Sequence, residues 1–256
     1  MALPELLLPL AADPGRSALF LDFDGTLSAI VDDPVAARPL PGVPELLGRL
    51  ASRLGLVAVV SGRPATFLAD VLSSPPHVTL VGLYGLELGL PEDQLGPWAA
   101  AIAKVAVEAT EEAPAGVYVE PKGLTVTLHW RHAPDAGSGW ASAFAAQQVH
   151  DRGVRAYPGR MSLELRPPLE VDKGTVIRSL AAGMRALAVF GDDLGDLPAF
   201  DAATDLAARG MAVARVAVVD NETAAQVAAQ ADLVVEGPLG VLALLEALDQ
   251  AAVMGR

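Results

Sequence analysis

Two carboxylates one residue apart, Asp22 and Asp24, stand in LFLDFDGTLS (residues 19–28), where an apolar run meets a Gly-Thr pair. Three more, Asp192, Asp193 and Asp196, crowd into GDDLGD (191–196) behind another apolar run. Ser61 follows a third run, and Lys173 opens a helical pattern after the middle of the chain. Asp-Gly is also a turn signal, and Asp often caps a helix, so DFDGT alone has a purely structural reading. Five acids gathered at one place are another matter, because they repel one another unless a cation neutralises them. Oxygen ligands of this kind suit Mg²⁺, which binds a few carboxylates together with water and phosphate oxygens. A hydroxyl and a lysine ammonium are then natural partners for a phosphoryl group.

These residues must be brought together by the elements that carry them. Apolar or nearly apolar runs recur at ALFL (18–21), LVAVV (56–60), VTLVG (78–82), ALAVF (186–190) and ARVAVV (214–219), with helical patterns at 44–54 and 173–184. Such runs, alternating with helices, predict a doubly wound parallel sheet covered on both faces, an α/β fold. In these sheets ligands bind beyond the carboxyl ends of the strands, where DFDGT, Ser61 and GDDLGD all fall. The middle differs. VYVE (117–120), LTVTLHW (124–130) and MSLELRP (161–167) alternate with period two, the mark of strands with one buried and one open face. The helical pattern at 97–113 can cover the buried face. The expected organisation is a core formed by 1–85 and 169–256, with an α+β module inserted at 86–168.

Composition sets further limits. Thirty-one acids against eighteen bases give a net charge of −13, which excludes an electrostatic nucleic-acid footprint but leaves room for a local basic pocket. With no cysteine there is no disulfide, thiolate metal site or thiol nucleophile. No apolar run reaches the ~20 residues needed to span a membrane. In MALPELLLPLAA (1–12) a basic start is lacking and prolines interrupt the apolar stretch, so it reads as a packing segment of a cytoplasmic protein. Neither GxxxxGK[ST] nor a GxGxxG after a strand is present.

The order DFDGT, Ser61, Lys173, GDD and Asp196 resembles the haloacid dehalogenase superfamily of phosphatases. VEPKGLTVTLHWRHAP (119–134), and RMSLELRPP followed by DKG, are further similar to segments of trehalose-6-phosphate phosphatases. The resemblance runs from about residue 18 to 200 and implies hydrolysis of a sugar phosphate with Mg²⁺. Asp22 would be the nucleophile, forming an aspartyl phosphate, and Asp24 the general acid and base. The metal ligands would be Asp22, the Asp24 carbonyl and Asp192, with Asp193 and Asp196 behind them. Ser61 and Lys173 would hold the phosphoryl oxygens. On the inserted cap, Glu120, Lys122, Arg131 and Glu164 would bind disaccharide hydroxyls, with His129 ranked below them. A separate trehalose-phosphate synthase is the partner this implies. The chain departs from the family pattern at Tyr84, where His is common, at Gly195, where Thr is frequent, and in the tail VVDNETAAQVAAQADLVV, which lacks a Gly-rich turn. Other phosphatases with this core, acting on sucrose phosphate or mannosyl-phosphoglycerate, fit the same residues. A receiver-like phospho-acceptor module also uses clustered acids and a lysine, but without an insertion of this size or an acid at position 24.

Overall fold

The computed structural model describes residues 2–88, 92–159, 161–220 and 223–254, with backbone alone for 92–94 and 254. Residues 221–222 of the tail segment and Arg160 lie outside them.

The chain begins with a short helix α1 (Leu8–Ala12) before strand β1 (Ser17–Leu21). Helix α2 (Val43–Ala51), strand β2 (Leu56–Val60), helix α3 (Ala65–Val71) and strand β3 (Val78–Val81) follow. The next stretch holds α4 (Glu92–Glu112), β4 (Tyr118–Pro121), β5 (Val126–His129), α5 (Pro134–Arg152), β6 (Arg155–Gly159) and β7 (Ser162–Arg166). The last is α6 (Lys173–Leu180), β8 (Ala186–Gly191), α7 (Leu197–Ala208), β9 (Ala212–Val219), α8 (Ala225–Gln230), β10 (Leu233–Glu236) and α9 (Gly237–Met254). Two compact units result, Met1–Leu88 with Val171–Arg256, and Gly89–Glu170.

Among the described residues the first unit holds a six-stranded sheet in the order β10-β9-β8-β1-β2-β3. Every neighbouring pair is parallel. Strand β1 is central and buried throughout, as its unbroken apolar sequence requires. Leu46, Leu47 and Leu50 of α2 recur at helical spacing and pack with Leu19, Leu21 and Val57 on one face. Phe200, Ala202 and Ala203 of α7 pack with Phe20 and Leu187 on the other. Burying each large side chain is worth roughly 1.5–3 kcal/mol, so both faces hold the sheet edge that carries the acids. Leu7 and Leu10, at the start of the chain, join the first of these clusters.

The second unit is an antiparallel sheet in the order β4-β5-β7-β6, with α4 and α5 against one face through Ile102, Val105, Val126, Leu128 and Phe144. Two features differ from expectation. Strand β6 (RAYPG) and helix α5 were not legible from pattern, because β6 contains proline and glycine and its alternation is weak. The other sheet face is also less open than alternation implies. Thr125, Thr127 and Glu164 are buried there.

Candidate active site

Asp22 follows the last residue of β1, and its N–H donates to the Phe190 carbonyl of β8 at 3.1 Å, fixing the carboxylate at the sheet edge. A tight turn follows. Gly25 donates to Ser28 at 2.8 Å, and Leu27 to Phe23 at 2.8 Å. Gly25 has a φ of 75°, in the left-handed region, and a Cβ there would stand 2.1 Å from an Asp192 oxygen. The Asp192 carboxylate therefore packs against the peptide that carries the Asp24 carbonyl.

Lys173 is the first residue of α6, whose N-terminus Asp172 and Thr175 close with a reciprocal capping box. A cation at a helix N-terminus opposes the helix dipole, so it needs anionic partners. It has two: Nζ lies 2.7 Å from Asp22 and 2.6 Å from Asp196. All three side chains are almost fully buried, above Phe20, Val60, Ile177 and Phe190. The second oxygen of Asp196 accepts from the N–H groups of Asp192, at 3.0 Å, and Asp193, at 3.2 Å. Asp196 is thus held through both oxygens. Asp193 caps the short turn behind β8 by accepting from Gly195 N–H at 2.8 Å.

Ligand oxygens of Asp22, Asp192 and Asp196 can lie within 4.8 Å of one another. Burial pushes the Asp22 and Asp192 carboxyls well above the usual carboxylate range, and the neighbouring acids add to it; Lys173 partly offsets this. Lys173 loses stability for its charge through burial, but Asp196 and Asp22 more than restore it, so the ammonium stays protonated. An excess of buried negative charge built from oxygen atoms alone, with Asp192 set against the Asp24 peptide, fits a hard divalent cation.

Ser61 follows β2 and is buried; its hydroxyl accepts from Arg63 N–H at 3.2 Å. Arg63 was not singled out by sequence reasoning. Its guanidinium grips both Asp24 oxygens at 2.8 Å and stacks over Phe67, whose ring meets Phe23 edge-on. Only the run Ser-Gly-Arg after a strand could have hinted at it.

In the second unit, β4, β5 and β7 align Glu120, Thr127 and Glu164 in one cross-strand row. His129 contacts Glu120 at 2.8 Å, and Lys122 lies 3.5 Å from Glu120 and 3.6 Å from Glu164. Thr125 donates to Glu164 at 2.7 Å, and Arg166 pairs with its other oxygen at 2.7 Å. Burial alone would raise the Glu164 carboxyl; Lys122, Arg166 and the Thr125 hydroxyl together bring it below the ordinary value. Arg131 lies two residues past β5, half-buried. Arg166, stacked 4.3 Å over Tyr157, falls on the Glu164 face by alternation but was not among the expected binding residues.

A family model described as trehalose-phosphatase matches residues 20–233. The chain belongs to the trehalose-phosphatase family. The trehalose-phosphate phosphatase of Mycobacterium avium (strain 104) is 41% identical over 203 residues, 72% of this chain and 51% of the relative. That of Mycobacterium marinum is 37% identical over 223 residues, 78% of this chain and 56% of the relative. The chain thus spans about half the length of the curated relatives it matches. Among solved structures, the trehalose-6-phosphate phosphatase C-terminal domain of C. albicans has the same fold, with a TM-score of 0.75 at 22% identity, covering 99% of each chain. No helix among the described residues is long and apolar enough to cross a membrane.

Proposed function

We propose that this chain hydrolyses trehalose 6-phosphate to trehalose and phosphate through an aspartyl-phosphate intermediate. The observation that carries the reading is the buried Asp22 carboxylate, held by Lys173 at the carboxyl end of β1 with Asp24 two residues on, in a member of this family. Ser61 and Lys173 bind the phosphoryl oxygens and orient phosphorus toward Asp22. The Asp22 carboxylate forms the new O–P bond as the sugar oxygen departs. Asp24 gives that oxygen its proton and later accepts one from the water that hydrolyses the acyl phosphate. Arg63 holds the Asp24 carboxylate in place. Asp22, Asp192 and the Asp24 carbonyl would hold Mg²⁺, which supplies charge neutralisation between the anionic nucleophile and the anionic phosphate. Asp196 and Asp193 brace the loop that presents Asp192.

The inserted unit serves as the specificity cap. Its polar sheet face offers Glu120, Lys122, Glu164 and Arg131 to sugar hydroxyls. We place the enzyme in the cytoplasm, with a synthase that makes the sugar phosphate as its metabolic partner. A phosphate-release panel across sugar phosphates, with and without Mg²⁺, tests the reading. Trehalose 6-phosphate should exceed glucose 6-phosphate by on the order of a hundredfold in kcat/KM, because losing two charge-assisted contacts costs ~3–6 kcal/mol before compensation. Equal rates on the two would show that the second sugar is not recognised.

A further inference from the structure

We propose that Tyr84 is a specificity-determining wall of the phosphate site, restricting it to esters whose carbon is unbranched or flat. The inference rests on the phosphatase reading above. Tyr84 stands just past β3, in a turn where Leu83 and Tyr84 both have positive φ, 49° and 59°. Side chains with a Cβ disfavour that region, yet the turn is fastened on both sides of Gly62. Leu83 N–H donates to the Arg63 carbonyl at 3.0 Å and Tyr84 N–H to the Ser61 carbonyl at 2.9 Å. The Glu87 carboxylate accepts from Ala65 N–H at 2.8 Å, tying the end of the turn to the start of α3.

This fastening aims the Tyr84 ring across the sheet edge. A Cβ on Gly62 would stand 2.4 Å from the Tyr84 hydroxyl, and a Cβ on Gly195 would stand 3.6 Å from its Cε1. Gly62 follows β2 and Gly195 follows β8, the two neighbours of β1 in the sheet. The ring therefore reaches over the end of β1, where Asp22 lies, and its centroid is 5.8 Å from the Lys173 ammonium. Its slot exists because position 62 has no side chain, and position 195 closes the other side, where a Cβ would meet an Asp193 carboxylate oxygen at 3.0 Å as well as the ring.

In an in-line displacement the ester oxygen lies on the far side of phosphorus from the attacking Asp22 oxygen, pointing away from the strand end. With phosphorus held between Ser61 and Lys173, the ester carbon leaves past the ring. A methylene or a flat aryl carbon can lie along an aromatic face. A tetrahedral carbon bearing two further carbons collides with it.

The isomers glycerol 1-phosphate and glycerol 2-phosphate isolate this difference, since they have the same atoms and differ in whether the ester carbon is primary or secondary. Their kcat/KM values, or their inhibition constants against a sugar phosphate where turnover is slow, give the preference of each variant. Wild type should favour the primary isomer by about a hundredfold, and Tyr84→Ala should cut that preference about tenfold, the scale of one misplaced carbon in a shaped site. Tyr84→Phe keeps the ring and should keep the preference. Gly195→Ala adds a methyl 3.6 Å from the ring and should keep or sharpen it, which supplies a second reading if Tyr84→Ala does not fold. An unchanged preference in Tyr84→Ala, its loss in Tyr84→Phe, or a relaxed preference in Gly195→Ala would overturn the inference. Wild type that hydrolyses sugar phosphates without any primary preference would overturn it alone. Wild type that hydrolyses no phosphate ester would overturn the phosphatase reading and this one with it.

Discussion

Replacing Asp196 by Asn separates a clamp from a metal ligand. The carboxylate accepts from Lys173 through one oxygen and from two backbone N–H groups through the other. An amide has one accepting oxygen and one donating nitrogen, so Asn satisfies either Lys173 or the N–H pair and turns a donor toward the rest. Charge-assisted hydrogen bonds are worth ~1.5–3 kcal/mol and neutral ones ~1, and Lys173 retains Asp22, so the net loss should be about 2–4 kcal/mol. At ~2–4 °C per kcal/mol for a domain of this size, Tm of the metal-free protein should fall by roughly 4–16 °C. Asp192→Asn should behave oppositely. It removes a charge that burial and the surrounding carboxylates make costly, so the metal-free protein should be at least as stable as wild type. The response of that variant to Mg²⁺ should nevertheless vanish. Calorimetric scans of the three proteins with EDTA and with Mg²⁺ decide the matter. If Asp196→Asn melts with wild type but loses its Mg²⁺ response, Asp196 is a ligand and the clamp assignment fails.

Arg63→Ala should lower kcat/KM on an alkyl phosphate about a hundredfold, the usual scale of general-acid assistance, while p-nitrophenyl phosphate, whose leaving group needs no proton, loses far less; equal losses would mean that Arg63 acts on the phosphate and not through Asp24. Because the Asp22 and Asp192 carboxyls are raised in the folded protein, the penalty for ionising them is absent below the unfolded value of 3.8 and grows as pH rises through the folded values. Metal-free protein should therefore gain stability between neutral pH and about pH 5, and Mg²⁺ at a hundred times its Kd should add ~2.7 kcal/mol at neutral pH, as urea titrations would read. Glu164 has the opposite sign: its stabilisation is complete above the unfolded value of 4.5 and is lost as pH falls through its lower folded value. The stability gap between wild type and Glu164→Gln should shrink steadily below about pH 4.5, and a gap that widens in acid would contradict the ion pairing with Lys122 and Arg166.

The parallel sheet was legible because β1, β2 and β8 are buried on both faces and so carry unbroken apolar runs, a pattern with few other outcomes. That acids from two separate runs meet at one edge follows from β1 and β8 being parallel neighbours. The Lys173 contact was visible only as a residue type at a helix start. Its double ion pair depends on where α6 docks, which no local pattern encodes. The grip of Arg63 on Asp24 joins residues thirty-nine positions apart, and it arises from the pairing of β1 with β2 rather than from either segment alone. Alternation in β5 correctly set Val126 and Leu128 into the core, but it implied an open face for Thr125 and Thr127. Instead Thr125 donates to the buried Glu164, which Lys122 and Arg166 also hold, a tertiary arrangement that period-two reasoning does not contain. Tyr84 was visible as a departure from a pattern, and its place over the site came only with the strained turn that aims it.

In the proposed mechanism phosphorus passes through Asp22. Mixing enzyme with substrate labelled in the phosphoryl group, quenching in acid within one turnover and mapping the label by peptide mass spectrometry tests it directly. The covalent mechanism requires a phosphoryl group on the peptide carrying Asp22, released by hydroxylamine as an acyl phosphate is, and none in Asp22→Asn, which should lose nearly all turnover. A wild-type enzyme that releases phosphate in a single turnover without passing label to Asp22, or an Asp22→Asn variant that keeps more than about one per cent of the rate, would contradict it.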